Sequence, residues 1–114
     1  MNKQKWKYIS EGGKGIGGIQ VYIFYKGELE SLKHWKRHSP TGFQIGYNGS
    51  GPADLARSIL IDHFIRDGLN SIKAFKKVEP LYQKFKFDII SNQKEVLKIT
   101  KREIEEWIEK NNRR

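Results

Sequence analysis

The chain has 114 residues, no cysteine and a net charge of +9, with 22 Lys and Arg against 13 Asp and Glu. That length suits one small domain with one core. The missing thiols exclude disulfides, thiolate zinc sites and cysteine nucleophiles, and they fit a reducing cytoplasm.

No apolar run approaches the roughly 20 residues that span a membrane. The basic balance favours polyanionic partners through counterion release. Residues 1–18 read as a basic, Gly-rich, partly flexible leader, whose opening MNKQKWKY has no apolar signal core. Gly13, Gly15 and Gly18 match G-x-G-x-x-G in form. They precede a strand instead of following one, so a flexible arm is expected there, not a dinucleotide site.

Residues 19–25, IQVYIFY, are β-branched and aromatic and predict a strand. Val21, Ile23 and Tyr25 share one face; Tyr22 and Phe24 share the other. Both faces are apolar, so cover on both sides is expected. An aromatic strand in a basic protein can also stack bases. Lys26 and Gly27 turn the chain, and residues 28–32 return as a second strand. Lys33, His34, Trp35, Lys36, Arg37 and His38 then form a basic and aromatic cluster. Its lysines and arginine could hold phosphate while Trp35 stacks on a base, or Trp35 could anchor a solvated loop.

Phe43, Ile45 and Tyr47 alternate with smaller or polar residues and predict a short strand. A glycine turn follows, and a helix is expected from Pro52, where a missing N–H is harmless, to about Asp67. Gly49 and Gly51 are read as positive-φ positions, and Ser50 or Gly51 as the cap. Leu55, Ala56, Ile59, Leu60, His63 and Phe64 make one apolar face. Asp54 suits the first-turn dipole, Asp62 can pair with Arg66, and Gly68 fits a left-handed C-cap. Residues 71–92 predict a helical region broken at Pro80, with Phe75, Val78, Leu81, Phe85 and Ile89 inward and lysines outside. A short strand is expected at residues 96–99. Thr100 and Glu103 form a capping box. It opens a last helix with Ile104, Trp107 and Ile108 inward, and residues 111–114 should fray.

These elements give an α+β fold: a small antiparallel sheet packed against two or three helices, in one domain over residues 19–110. Within it, the run His38, Ser39, Pro40, Thr41, Gly42, Phe43 is followed by Gly46, Tyr47, then Gly49, Ser50, Gly51, Pro52, Ala53 and Leu55, Ala56. With Phe85, Phe87, Asp88, Leu97, Thr100, Ile104 and Trp107, this ordered phrase resembles a family of small bacterial, phage and mobile-element proteins of unknown function. Departures fall at Ile45, in residues 69–79 and before residue 19. The resemblance implies a virus or mobile-element setting and supplies no reaction, substrate or cofactor.

No catalytic constellation emerges. Ser50 lies between glycines at the wrong spacing for a nucleophile elbow, and no lysine follows Gly51 as a P-loop requires. His34, His38, Asp62 and His63 are metal candidates by residue type, but His34 and His38 would meet only on a helix. Asp54, Asp62 and Asp88 are each accounted for by helix position. No metal or other cofactor is expected. The first reading is a non-enzymatic module for nucleic acid or another phosphate-bearing ligand. In it, Lys33, Lys36 and Arg37 hold phosphate, Trp35 stacks, and Asn48, Gly49, Ser50 and Gly51 offer backbone donors. The second is a protein-interaction module of a virus or mobile element, such as an inhibitor of a host protein, using a patch around Tyr22, Phe24 or Trp6. Either module is expected in the host-cell cytoplasm, off the membrane, as a monomer or homodimer.

Overall fold

A computed structural model describes residues 5–11, 18–35 and 42–112. Four antiparallel strands form one sheet in the order β3-β2-β1-β4: β1 Trp6–Ser10, β2 Val21–Tyr25, β3 Glu28–Ser31 and β4 Lys98–Thr100. Among the described residues, four helices complete the α+β domain: α1 Ser50–Arg66, α2 Ser71–Val78, α3 Tyr82–Asp88 and α4 Lys101–Asn112. A 3₁₀ turn, Ile90–Asn92, follows α3.

The expectation of a leader up to residue 18 does not hold for Trp6–Ser10. This segment is an inner strand, paired with β2 through Tyr8↔Ile23 and with β4 through Tyr8↔Ile99. Trp6 and Tyr8 point into the core, while Lys7 and Ile9 point out. The glycines and lysines around this short alternation masked it. Residues 1–4 and 12–17 of the expected leader lie outside the described residues.

The β2–β3 hairpin forms as the sequence predicts. Lys26 and Gly27 take φ of 53° and 77°, the left-handed pair that matches the strand twist. Only one face of β2 is buried, however. Val21 and Ile23 are in the core, whereas Tyr22 is half-buried and Phe24 exposed. The strand expected at residues 43–47 shrinks to one bridge, Ile19↔Phe43. The last strand shifts to Lys98–Thr100, with Leu97 held at its start by Ser10: Leu97 N–H donates to Ser10 Oγ at 2.8 Å.

α1 is the centre of the molecule. Instead of one apolar face, it buries residues around nearly its whole circumference, including Leu55, Ala56, Ile59, Leu60, Ile61 and Phe64. Each large aliphatic side chain so buried contributes about 1.5–3 kcal/mol. The helix ends as expected in a left-handed cap. Gly68 takes φ of 114°, its N–H reaches the Ile65 carbonyl at 3.0 Å, and Leu69 N–H reaches Phe64 at 2.9 Å. Pro80 separates α2 from α3, and Val78, Tyr82, Phe85 and Ile90 carry this arm into the core. Thr100 and Glu103 form the reciprocal capping box of α4: Thr100 N–H donates to Glu103 Oε1 at 3.0 Å, and Glu103 N–H donates to Thr100 Oγ1 at 3.1 Å.

Candidate functional site

The segment 33–35 lies along the N-terminal half of α1. Asp54, Arg57 and Ser58 share one helix face at i, i+3 and i+4, and each holds this segment. Asp54 Oδ2 is 2.8 Å from His34 Nε2. Trp35 N–H donates to Ser58 Oγ at 2.9 Å, and Arg57 Nη1 donates to the Trp35 carbonyl at 3.1 Å. Asp54 therefore has a different task from the one its sequence position suggests. It lies beyond the first turn, is fully buried and anchors His34. The His34 ring also packs against Phe43, with centroids 4.6 Å apart.

Trp35 is an anchor. Its ring meets Phe75 of α2 edge-on at 5.0 Å, and Lys33 Nζ sits 3.9 Å from its centroid. Arg57 lies 5.6 Å from the Phe75 ring and bonds Glu79 Oε1 at 3.3 Å. Lys33, Trp35, Phe75 and Arg57 thus form a continuous cation–aromatic row joining the segment to α1 and α2. Lys36 and Arg37, the other two residues of the expected nucleic-acid site, lie outside the described residues.

The glycine turn reaches the same end of α1. The helix begins at Ser50, with Gly49 as its N-cap and no side-chain cap, so neither Ser50 nor Gly51 caps it. Gly49 O accepts from Ala53 N–H at 2.9 Å, the first helical bond. Pro52 is then the third helical residue, still among the orphan donors. It removes one N–H from any anion held there. Gly49 and Gly51 are not positive-φ positions. Gly49 is extended, at φ of −160°, and Gly51 is helical. Space explains both. A Cβ on Gly49 would lie 2.5 Å from the Tyr47 ring, and one on Gly51 would lie 2.6 Å from Gln44 Cγ. Asn48 and Ser50 are exposed, Gly49 is half-buried and Gly51 is buried. The structure thus brings the His34–Asp54 pair, Phe43 and the turn to one end of α1. No strand leads directly into Ser50.

The remaining polar residues of α1 sit on its other half. Trp6 Nε1–H donates to His63 Nδ1 at 3.3 Å. Burial holds His63 neutral, pushing its pKa down to about 4, with Lys101 acting the same way and Asp67 opposing. Asp62 accepts from the Tyr8 hydroxyl at 2.6 Å and from Arg66 Nε at 2.7 Å, so the expected Asp62–Arg66 pair forms. Arg66 also reaches Glu30 of β3. Burial raises the Asp62 pKa, against the pull of the Arg66 and Tyr8 hydrogen bonds. Asp88 accepts from Trp107 Nε1 and from Lys84 Nζ, each at 2.9 Å.

His34, Asp62 and His63 therefore have separate partners, and His38 lies outside the described residues. Among the described residues, no group of three or more His, Asp or Glu side chains could hold a metal ion. No described helix is long and apolar enough to cross a membrane.

The sheet's outer face gathers side chains that are far apart along the sequence. Phe24 is 39% exposed, Tyr22 is beside it, and Lys7 Nζ lies 5.3 Å from the Phe24 ring. Trp6, expected in the same exposed patch, is instead buried beneath the sheet. Strand alternation at residues 6–10 is the signal that could have separated Lys7 from Trp6.

The chain belongs to a family of unknown function, DUF6166, whose model matches residues 10–110. No curated protein and no solved structure matches it.

Proposed function

We propose that this member of a family without assigned activity is a non-enzymatic binding module for nucleic acid. We place it as an accessory protein of a virus or mobile element, in the cytoplasm of the cell that carries that element. The observation that carries the reading is a set of cations without acid partners. On α2, Lys73, Lys76 and Lys77 are exposed, and among the described residues none of them forms an ion pair. Like charges three and four apart on a helix are mutually unfavourable, by about 0.2–0.5 kcal/mol per pair. A phosphate backbone removes that repulsion and gains counterion release as well.

These lysines stand on the helix that holds Phe75, and Phe75 ends the aromatic row from Lys33 and Trp35. In this reading Trp35 positions Lys33, whose Nζ lies 3.9 Å from its ring centroid. Lys36 and Arg37 continue the same segment in sequence. Asn48, Gly49, Ser50 and Gly51 would add backbone donors at the start of α1.

The test is a titration of labelled DNA and RNA at about 50 and 150 mM salt, with a Lys33→Ala/Lys73→Ala/Lys76→Ala/Lys77→Ala variant alongside. The variant should bind more weakly. Its salt slope should fall by about 0.7 on single strands, and about 0.9 on duplex, for each phosphate it no longer neutralises. An unchanged affinity and slope, or no binding by the parent protein at the lower salt, refutes the assignment.

A further inference from the structure

We propose that the outer face of the sheet is a platform for single-stranded nucleic acid, with Tyr22 and Phe24 stacking on two splayed bases and Lys7 and Lys98 holding phosphate. This inference rests on the nucleic-acid reading above but assigns the base contacts to a different surface. The strand register places two rows side by side. Lys7, Phe24 and Leu29 are directly opposed across β1, β2 and β3. Lys98, Ile9 and Tyr22 are opposed across β4, β1 and β2. Each row therefore carries one aromatic ring on β2 and one lysine on a neighbouring strand. The two rings are two residues apart, roughly 6.8 Å along the strand.

Burial and charge both set this face apart. The opposite face holds Trp6, Tyr8, Val21, Ile23 and Ile99 in the core, whereas Phe24 and Leu29 are exposed and Tyr22 and Ile9 half-buried. The carboxylates of β3, Glu28 and Glu30, pair with Tyr25 and Ile23, and so alternate to the other side. Neither outer row contains an acid. Glu11, just past the end of β1, accepts the Tyr22 hydroxyl at 2.9 Å. Among the described residues neither Lys7 nor Lys98 forms an ion pair, and a sheet face that combines π surfaces with such cations suits a ligand of bases and phosphates. A duplex keeps its bases stacked and offers the rings nothing to contact, so single strands should be preferred.

The experiment uses the full chain, fluorescein-labelled ten-nucleotide oligothymidylate and oligouridylate, and a ten-base-pair duplex, read by anisotropy at about 50 mM salt. The parent should favour either single strand over the duplex. Tyr22→Ala/Phe24→Ala, which removes both stacking rings, should weaken single-strand binding by about thirty-fold or more. Phe24→Tyr should retain it, and Lys7→Ala should lower the salt slope. Circular dichroism checks that each variant is folded. Parent binding that the double alanine variant leaves unchanged overturns this inference and leaves the α2 reading standing. Absence of parent binding overturns both. A concentration-dependent dimer in sedimentation that Phe24→Ala dissociates would make the face a self-interface and would also overturn it.

Discussion

His63 makes the stability of this protein fall in mild acid by an amount that follows from its surroundings. Its side chain is buried between Trp6 and Phe64, and Nδ1 accepts the Trp6 indole N–H. Burial lowers its pKa from 6.5 to about 4, with Lys101 adding to the effect and Asp67 opposing it. In the unfolded chain the ring titrates near its ordinary value of about 6.5. Above that pH the ring is neutral in both states and contributes no pH dependence. Below it, the unfolded chain takes up a proton that the folded chain resists. Stability then falls by about 1.4 kcal/mol per pH unit until about pH 4. The interval between those pKa values corresponds to roughly 3 kcal/mol in all, of which roughly 2 kcal/mol is lost between pH 7 and pH 4.5.

The assay is urea unfolding followed by tryptophan fluorescence at both pH values. The comparison is His63→Gln, whose amide oxygen can accept from Trp6 but does not titrate. The parent should lose roughly 2 kcal/mol more than the variant over that interval. Equal losses would refute the argument, since carboxylates elsewhere affect both proteins alike.

Two further substitutions test the packing around the start of α1. Gly51→Ala meets Gln44 Cγ at 2.6 Å and Cβ at 2.8 Å close to the backbone, and should destabilise by about 1–3 kcal/mol in urea. Gly49→Ala meets the half-exposed Tyr47 ring instead, so its smaller penalty should vanish in a Tyr47→Ala background; a penalty that persists contradicts the steric explanation. Asp54→Asn weakens the charge-assisted bond to His34 and should lower stability by about 1.5–3 kcal/mol. A loss below about 0.5 kcal/mol would show that the pair does not hold segment 33–35 to α1.

The candidate site was legible in fragments. The basic and aromatic residues at 33–37 and the glycine turn at 48–51 each stand out from their neighbours in sequence, and the structure brings residues 33–35 and that turn to one end of α1. Their chemistry differs from the local expectation. The Trp35 ring, read in the sequence either as a base-stacking surface or as a loop anchor, meets Lys33 and Phe75. Gly49 and Gly51, expected as positive-φ positions, are small because Tyr47 and Gln44 lie against them. Neither neighbour follows from the local pattern, since side-chain contact depends on how the turn folds back.

By itself the sequence determined the local pieces: the Lys26–Gly27 turn, the Gly68 cap, the break at Pro80 and the Thr100–Glu103 box. Each depends on backbone preferences or hydrogen bonds among a few consecutive residues. Only the tertiary structure decided that Trp6–Ser10 is an inner strand, because it is held to Leu97 and β4 by partners nearly the whole chain away. The same holds for α1. Its one apparent apolar face became a nearly complete buried surface, because residues 33–35 cover the side carrying Asp54 and Ser58, while Trp6 meets His63 on the half beneath the sheet. Buried polar groups of this kind look like surface residues in a sequence. They enter a core only when a distant donor or acceptor satisfies them.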